Sequence, residues 1–278
     1  MKKITKRATA VILSVAVGFG SLIAGLEISF AHWKKNGAWL PDYQMVDIDG
    51  VLGKTNLTDE DYELLYKQTG LTKLGVDGLL KKQRTDKIKL IQQRYFSVGS
   101  IRHDPILPYV AVGYLEDYGV LCELEDGDII VSASTSLAGI RVGHAALVVN
   151  GAQSVVLESF QFGYDSNFAD AITETEMSTY MVLRPTKIPE ETRKSVVKYA
   201  KENLVGIPYN QIVGLFPKKY TEELTSTQCS HLCWYAYKKF GYDLDSNGGM
   251  FVAPKDIANS SYLEVVQIFG FDPEKLWK

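Results

Sequence analysis

Thr227-Gln228-Cys229-Ser230-His231-Leu232-Cys233-Trp234-Tyr235-Ala236-Tyr237 is the stretch in which a polar loop turns into an apolar, helix-periodic segment. A cysteine at such a junction sits at a helix N-terminus, where free N–H groups and a partial positive charge favour the thiolate. The same N–H groups could stabilise an oxyanion. Cys233, one turn further in among large apolar neighbours, fits a buried structural cysteine instead. The polar flanks Thr227, Gln228 and Ser230 set Cys229 apart from it. The chain has four histidines, His32, His103, His144 and His231, and beyond the adjacent His231 none follows Cys229. If Cys229 is a nucleophile, its base comes from earlier in the chain.

The best-placed base is His144, at the head of Val142-Gly143-His144-Ala145-Ala146-Leu147-Val148-Val149. Strand alternation puts His144, Ala146 and Val148 on one face. Asn150-Gly151 predicts a hairpin between His144–Val149 and Ser154–Ser159. A turn centred on Gly151 sets Glu158 directly opposite His144, where a carboxylate could fix the imidazole tautomer and stabilise the imidazolium. A one-residue slip would carry Glu158 to the other face. Gly143 would let a substrate or the cysteine loop approach closely, and Gln228, beside the nucleophile, is expected to contact substrate.

Cys229, His231, Cys233 and His144 are also zinc-ligand types, but residues two apart on a helix point to different faces. No metal or other cofactor is expected. His103, in Arg102-His103-Asp104-Pro105, is expected on a surface loop, and His32 in an exposed N-terminal segment. Cys229 and Cys233 in a helix would hold their Cβ atoms about 5–6 Å apart, too far for a disulfide. Cys122 is expected as a small buried hydrophobe.

Strands are predicted over Ile129–Ser132, Tyr180–Leu183 and Leu263–Ile268, and a helix from Pro189 to about Leu204. Upstream, Thr58 before Asp59-Glu60-Asp61 predicts a capped helix start, with Leu57 stapling Tyr62 and Gly70 closing the helix. A short helix follows Thr72 and another runs over Asp86–Phe96. Residues 32–55 are expected to be irregular. Residues 32–110 are thus a helical N-terminal extension, and 111–278 the catalytic domain.

Residues 1–31 have the pattern of an export signal: Lys2, Lys3, Lys6 and Arg7, an apolar run from Ala8 to Leu26, and Ser29-Phe30-Ala31 at a cleavage site. The run is nearly long enough to span a bilayer, so an uncleaved anchor and membrane contact through it stay open. Either way the remaining 247 or so residues are expected outside the cytoplasm, secreted or held at the outer side of the membrane. Removing Met1–Ala31 takes away four positive charges and one negative, which carries the net charge from −3 to −6. A mildly acidic chain without a basic cluster argues against nucleic acid as a partner.

Gly206-Ile207-Pro208-Tyr209-Asn210 followed by Cys229-Ser230-His231-Leu232-Cys233 resembles the nucleophile segment of NlpC-type papain-fold hydrolases. In those enzymes the histidine follows the cysteine. Here Gly127-Asp128-Ile129-Ile130 and Gly143-His144-Ala145 come first, an order similar to the circularly permuted, papain-like amidases of the YiiX/YaeF type. Asp243-Leu244-Asp245 and Pro254-Lys255-Asp256-Ile257 also resemble that branch, and the likeness covers roughly residues 120–260. The resemblance implies an α+β fold with an antiparallel, partly barrelled sheet packed on the nucleophile helix. It implies Cys229 as nucleophile, His144 as base, Glu158 as third polar residue and Tyr209 as a cleft residue that donates to oxyanion or substrate. Such an enzyme would cleave an amide bond in a peptide or acyl amide through an acyl-thioester, and export points to cell-wall peptides such as peptidoglycan stems. A lipid acyl hydrolase or acyltransferase with the same dyad, and a non-enzymatic wall-binding relative, remain open at this point.

Overall fold

Ala145-Ala146-Leu147-Val148-Val149 is buried at every residue, alternate side chains entering two different cores. That single strand explains the architecture: a sheet with helices on both faces, whose strands carry continuous apolar runs. The computed structural model describes residues 2–97, 99–107, 109–216 and 218–277, with side chains from residue 17 onward except that of Leu107.

The helices are α1 (Lys2–Asn36), α2 (Asp49–Leu52), α3 (Asp59–Thr69), α4 (Lys73–Lys81), α5 (Thr85–Phe96), α6 (Glu190–Asn203), α7 (Cys229–Lys238) and α8 (Pro254–Ala258). The strands are β1 (Ile101–Leu107), β2 (Val110–Leu115), β3 (Ile129–Ser132), β4 (Thr135–Leu137), β5 (Ile140–Arg141), β6 (His144–Asn150), β7 (Val155–Glu158), β8 (Asn167–Asp170), β9 (Tyr180–Arg184) and β10 (Glu264–Phe269). A six-stranded sheet has the order β10-β9-β3-β6-β7-β8, and a four-stranded one the order β1-β2-β4-β5. Every pairing between these strands is antiparallel.

On one face of the larger sheet, Ile129, Val131, Ala145, Leu147 and Leu183 pack against α6, α7 and α8. On the other, Ile130, Ala146, Val148, Val156 and Val182 pack against Leu65, Val76, Leu79, Ile88 and Ile91 of α3–α5. Mixed α+β class and antiparallel pairing match the expectation, but the sheet is open, not partly barrelled. The reason is the double cover, because a sheet buried by helices on both faces has no apolar surface left to close upon.

The N-terminal segment departs from the expected purely helical extension. Its helices fall where predicted, with the Thr58–Asp61 capping box formed and Gly70 closing α3 in the left-handed conformation. Strand β1 follows them, however, and His103 lies within it, not on a surface loop. Pro105 is accommodated because β1 is an edge strand with a bulge beside that residue. The His103 ring meets Trp33 edge-on at 5.0 Å. Nor are residues 32–36 irregular, since α1 continues through Asn36, whose carbonyl accepts from Arg141 at 2.6 Å. Among the described residues no helix is long and apolar enough to cross a membrane. The side chains of residues 8–16, the first half of the run expected as export signal or anchor, lie outside the described residues.

Candidate active site

Helix α7 begins at Cys229 because Gln228 caps it, its Oε1 accepting from the Ser230 N–H at 3.0 Å. Gln228 Nε2 donates to Val252 O at 2.8 Å, and Ser230 Oγ donates to the same carbonyl at 2.7 Å. The start of the helix is thereby stitched to the chain ahead of α8. Gln228, expected to contact substrate, is buried and engaged at both ends of its amide. The strap Gly206–Asn210 runs beside this start, Thr227 N donating to Pro208 O at 3.0 Å and Asn210 N to Thr227 O at 2.6 Å. Tyr209 is thereby held near the sulfur. Burial, and then the neighbouring Cys229, push its hydroxyl above the ordinary phenol range.

His144 is the first residue of β6, paired across the ladder with Ser132 of β3. Its Nε2 lies 2.7 Å from Glu158 Oε2, which leaves Nδ1 as the nitrogen available to another partner. The Cys229 thiol donates to Gln228 Oε1 at 3.1 Å, and the His144 ring lies close enough to act on its charge. Cys229, His144 and Glu158 are therefore brought together.

They meet in a different register from the one expected. Leu147 pairs with Leu157 and Val148 with Val156, so the turn is two residues longer than one centred on Gly151. Ser154 carries the left-handed conformation there, and the Asn150 side chain bonds the Gln153 amide and side chain across the loop. Gly151 serves close packing: an added Cβ would stand 2.5 Å from Leu124 O. Two residues preserve the strand's parity, so Glu158 stays on the imidazole's side and reaches it diagonally. Gly143 also has a role other than the one expected. It lies at φ +73°, where a Cβ would stand 2.0 Å from Ser132 O and 3.1 Å from the Trp277 ring. Those neighbours press on it, and neither is the cysteine loop.

The charges reinforce one another. Burial alone would raise the Cys229 thiol, but His144 and the N–H groups of Ser230 and Ala145 outweigh it and hold the thiol below its usual value. Burial alone would depress His144, but Glu174, Cys229 and Glu158 carry it well above the usual histidine range. Glu174, which the sequence reading did not single out, stands 3.6 Å from His144 Nε2 through Oε1. No periodic signal marks it, because it sits on a 3₁₀ turn, Ala171–Glu176. His231 is no partner in this cluster. Its Nε2 donates to Lys219 O at 2.6 Å and its Nδ1 accepts from Thr227 Oγ1 at 2.9 Å. Burial pushes it down to about 4. Cys122 and Cys233 are free and buried, their thiols raised by burial.

Ligand atoms of His144, Glu158 and Glu174 all lie within 4.8 Å of one another, and their types suit a divalent metal. The His144–Glu158 separation of 2.7 Å is that of a hydrogen bond. It is shorter than the ~3.3 Å edge of a tetrahedral shell with ligands at about 2.0–2.1 Å.

Fold and site together define an α+β protein with a buried cysteine, histidine and glutamate gathered where β6 meets the start of α7. No family model matches the chain. Over 63 residues it is 40% identical to the uncharacterized protein YycO of Bacillus subtilis (strain 168), a match spanning 22% of this chain and 25% of that relative. Among solved structures it is similar to metalloprotein yiiX (DUF1105) from Escherichia coli O157:H7, with a TM-score of 0.40 and 16% identity over 52% of this chain and 97% of that one.

Proposed function

We propose that this chain is a cysteine hydrolase of the permuted papain-like kind, cleaving amide bonds through an acyl-thioester. The observation that carries the reading is His144, hydrogen-bonded through Nε2 to Glu158 at 2.7 Å while its ring faces a thiol at a helix N-terminus. Cys229 passes its proton to His144 Nδ1, and Glu158 accepts from Nε2–H and balances the imidazolium. The thiolate attacks the carbonyl carbon. The resulting oxyanion is met by the Cys229 N–H, which at the first helical position has no intrahelical partner; the Tyr209 hydroxyl would join it only by turning away from Gln211 Oε1, to which it donates. His144 returns the proton to the departing amine as the C–N bond breaks, leaving the acyl group on sulfur. It then takes a proton from water, whose oxygen displaces the thiolate and releases the acid. Peptides of a cell wall, met outside the cytoplasm, are the substrates that the sequence pattern favours.

A thiol-directed activity probe tests this. Wild type is expected to be labelled, with labelling abolished in Cys229→Ala and strongly reduced in His144→Ala. Undiminished labelling of Cys229→Ala would sink the assignment.

A second reading keeps the dyad and changes the substrate to a lipid acyl group. It is favoured by Phe160, whose ring meets His144 edge-on at 5.4 Å, and by the exposed Phe162 and Tyr164 in the same loop. Mass spectrometry of the group trapped on Cys229 separates a peptidyl from a fatty-acyl thioester.

A further inference from the structure

Glu174 is placed with care for a residue on a short turn. The Asp170 carboxylate accepts from the Ile172 N–H at 3.0 Å. Thr175 Oγ1 donates to Ile172 O at 2.6 Å and accepts from the Gly119 N–H at 3.0 Å. The turn is thereby tied at both ends, and Glu174 is directed inward with 2 % of its surface exposed. Glu158, its neighbour across His144, keeps 16 % of its side chain exposed. Among the described residues neither carboxylate has a lysine or arginine within ion-pairing distance, and the imidazole is the one cationic group they share. Glu174 Oε2 is buried without a hydrogen-bond partner.

A single Nε2–H, 2.7 Å from Glu158 and 3.6 Å from Glu174, cannot compensate two buried carboxylates. An ionised Glu174 would leave one bare anionic oxygen in the interior. Two adjacent carboxylates avoid this when one retains its proton and gives it to the other as a hydrogen bond. The deeper of the two is the one to retain it. We propose that Glu174 is a positioning residue, held as a neutral acid that donates a hydrogen bond to Glu158 and so fixes that carboxylate against His144 with one net negative charge behind the imidazolium.

The inference rests on the hydrolase reading for its purpose, but not for its geometry. Burial raises Glu174, His144 opposes this and Glu158 adds to it, leaving it at about 7. The titratable groups around it are His144 of β6, Glu158 of β7, Cys233 of α7 and Tyr114 of β2. As pH rises through neutrality the turn would lose its proton and a second negative charge would face the imidazolium. That charge makes His144 a weaker acid toward the leaving amine.

Infrared difference spectroscopy of the full chain, wild type against Glu174→Gln, reads the proton directly. The expected result is a protonated-carboxyl C=O band at pH 6 that is missing in Glu174→Gln and fades in wild type as pH rises past about 7. Glu174→Gln, a neutral donor of the same shape, is expected to keep the wild-type pH profile of Cys229 alkylation below neutrality. Glu174→Ala is expected to shift that profile by about one unit, a tenfold change in thiolate fraction. Absence of the band, with Cys229 still labelled by the probe, overturns the proposal and leaves the hydrolase reading standing. Presence of the band with no labelling does the reverse. Binding of zinc by wild type but not by Glu174→Gln, with loss of alkylation, would make Glu174 a ligand and also overturn it.

Discussion

On the proposed function Cys229 and His144 act as a pair, and the pH range in which they would work follows from the direction of each shift. The thiol is lowered and the imidazole raised. The thiolate–imidazolium form therefore exists above the first value and below the second, an interval that reaches below the ordinary thiol range. Alkylation of Cys229 by iodoacetamide is expected to proceed well below pH 8.5, the value of a free thiol. In His144→Ala the midpoint should rise, since only the N–H groups of Ser230 and Ala145 then oppose burial. An unchanged midpoint would remove His144 from the pair. His231 makes the opposite case. Its folded-state value of about 4 lies below the unfolded one of about 6.5, so between the two the unfolded chain binds more protons. Its contribution is complete above about 6.5 and lost as pH falls toward 4, up to about 3 kcal/mol. Urea melts at pH 7 and pH 4.5 should show a smaller acid loss in His231→Gln than in wild type. Equal losses would mean that His231 carries a charge in the folded state.

At the scale of elements, the pairs that carry the site are anchored by contacts remote from it. Asp128, at the entry to β3, receives Arg184 of β9 through two bonds, at 3.0 and 2.7 Å, and is fully buried. Beside it, the Tyr237 hydroxyl of α7 donates to Gly127 O at 2.5 Å, joining that helix to the same turn. Asp128→Asn would leave a buried guanidinium half-paired. The expected cost is about 3 kcal/mol, the lower end for a broken buried pair, because Glu125 stays 3.0 Å from Arg184. A loss under 1 kcal/mol by urea denaturation would contradict this. How far such elements were legible depends on what marks them. The helix start at Cys229, the capping box at Thr58 and the facing of His144 and Glu158 all come from local periodicity and cap chemistry. The register did not, since the loop around Asn150 closes through side-chain bonds and a left-handed Ser154 that no dipeptide rule announces. Glu174 was invisible for a similar reason: a 3₁₀ turn has no apolar stripe, and its importance arises from what the fold sets beside it. Strand β1 was hidden by Pro105, an ordinary strand breaker tolerated at an edge.

For the whole molecule, the two cores on opposite faces of one sheet make α3–α5 part of the same folding unit as α6–α8. The openness of that sheet was not readable from the strands alone, because whether a sheet closes depends on what covers it. Helix α7 is enclosed so fully that every residue from Cys229 to Tyr237 is buried. A helix without a solvent face cannot fray or tilt without opening the core around it, so its amides should exchange hydrogen only when the entire chain unfolds. The loop bearing Phe160, Phe162 and Tyr164 has no such restraint and should exchange through local opening. Native-state exchange in low denaturant would show this as two classes, α7 tracking global stability and the loop independent of it. Exchange of α7 through local openings would contradict it. With Cys229 held on the time scale of folding itself, the proposed function makes admission of a substrate a matter of the loops alone, and turnover would be sensitive to solvent viscosity at the rim before it is sensitive to anything at the sulfur.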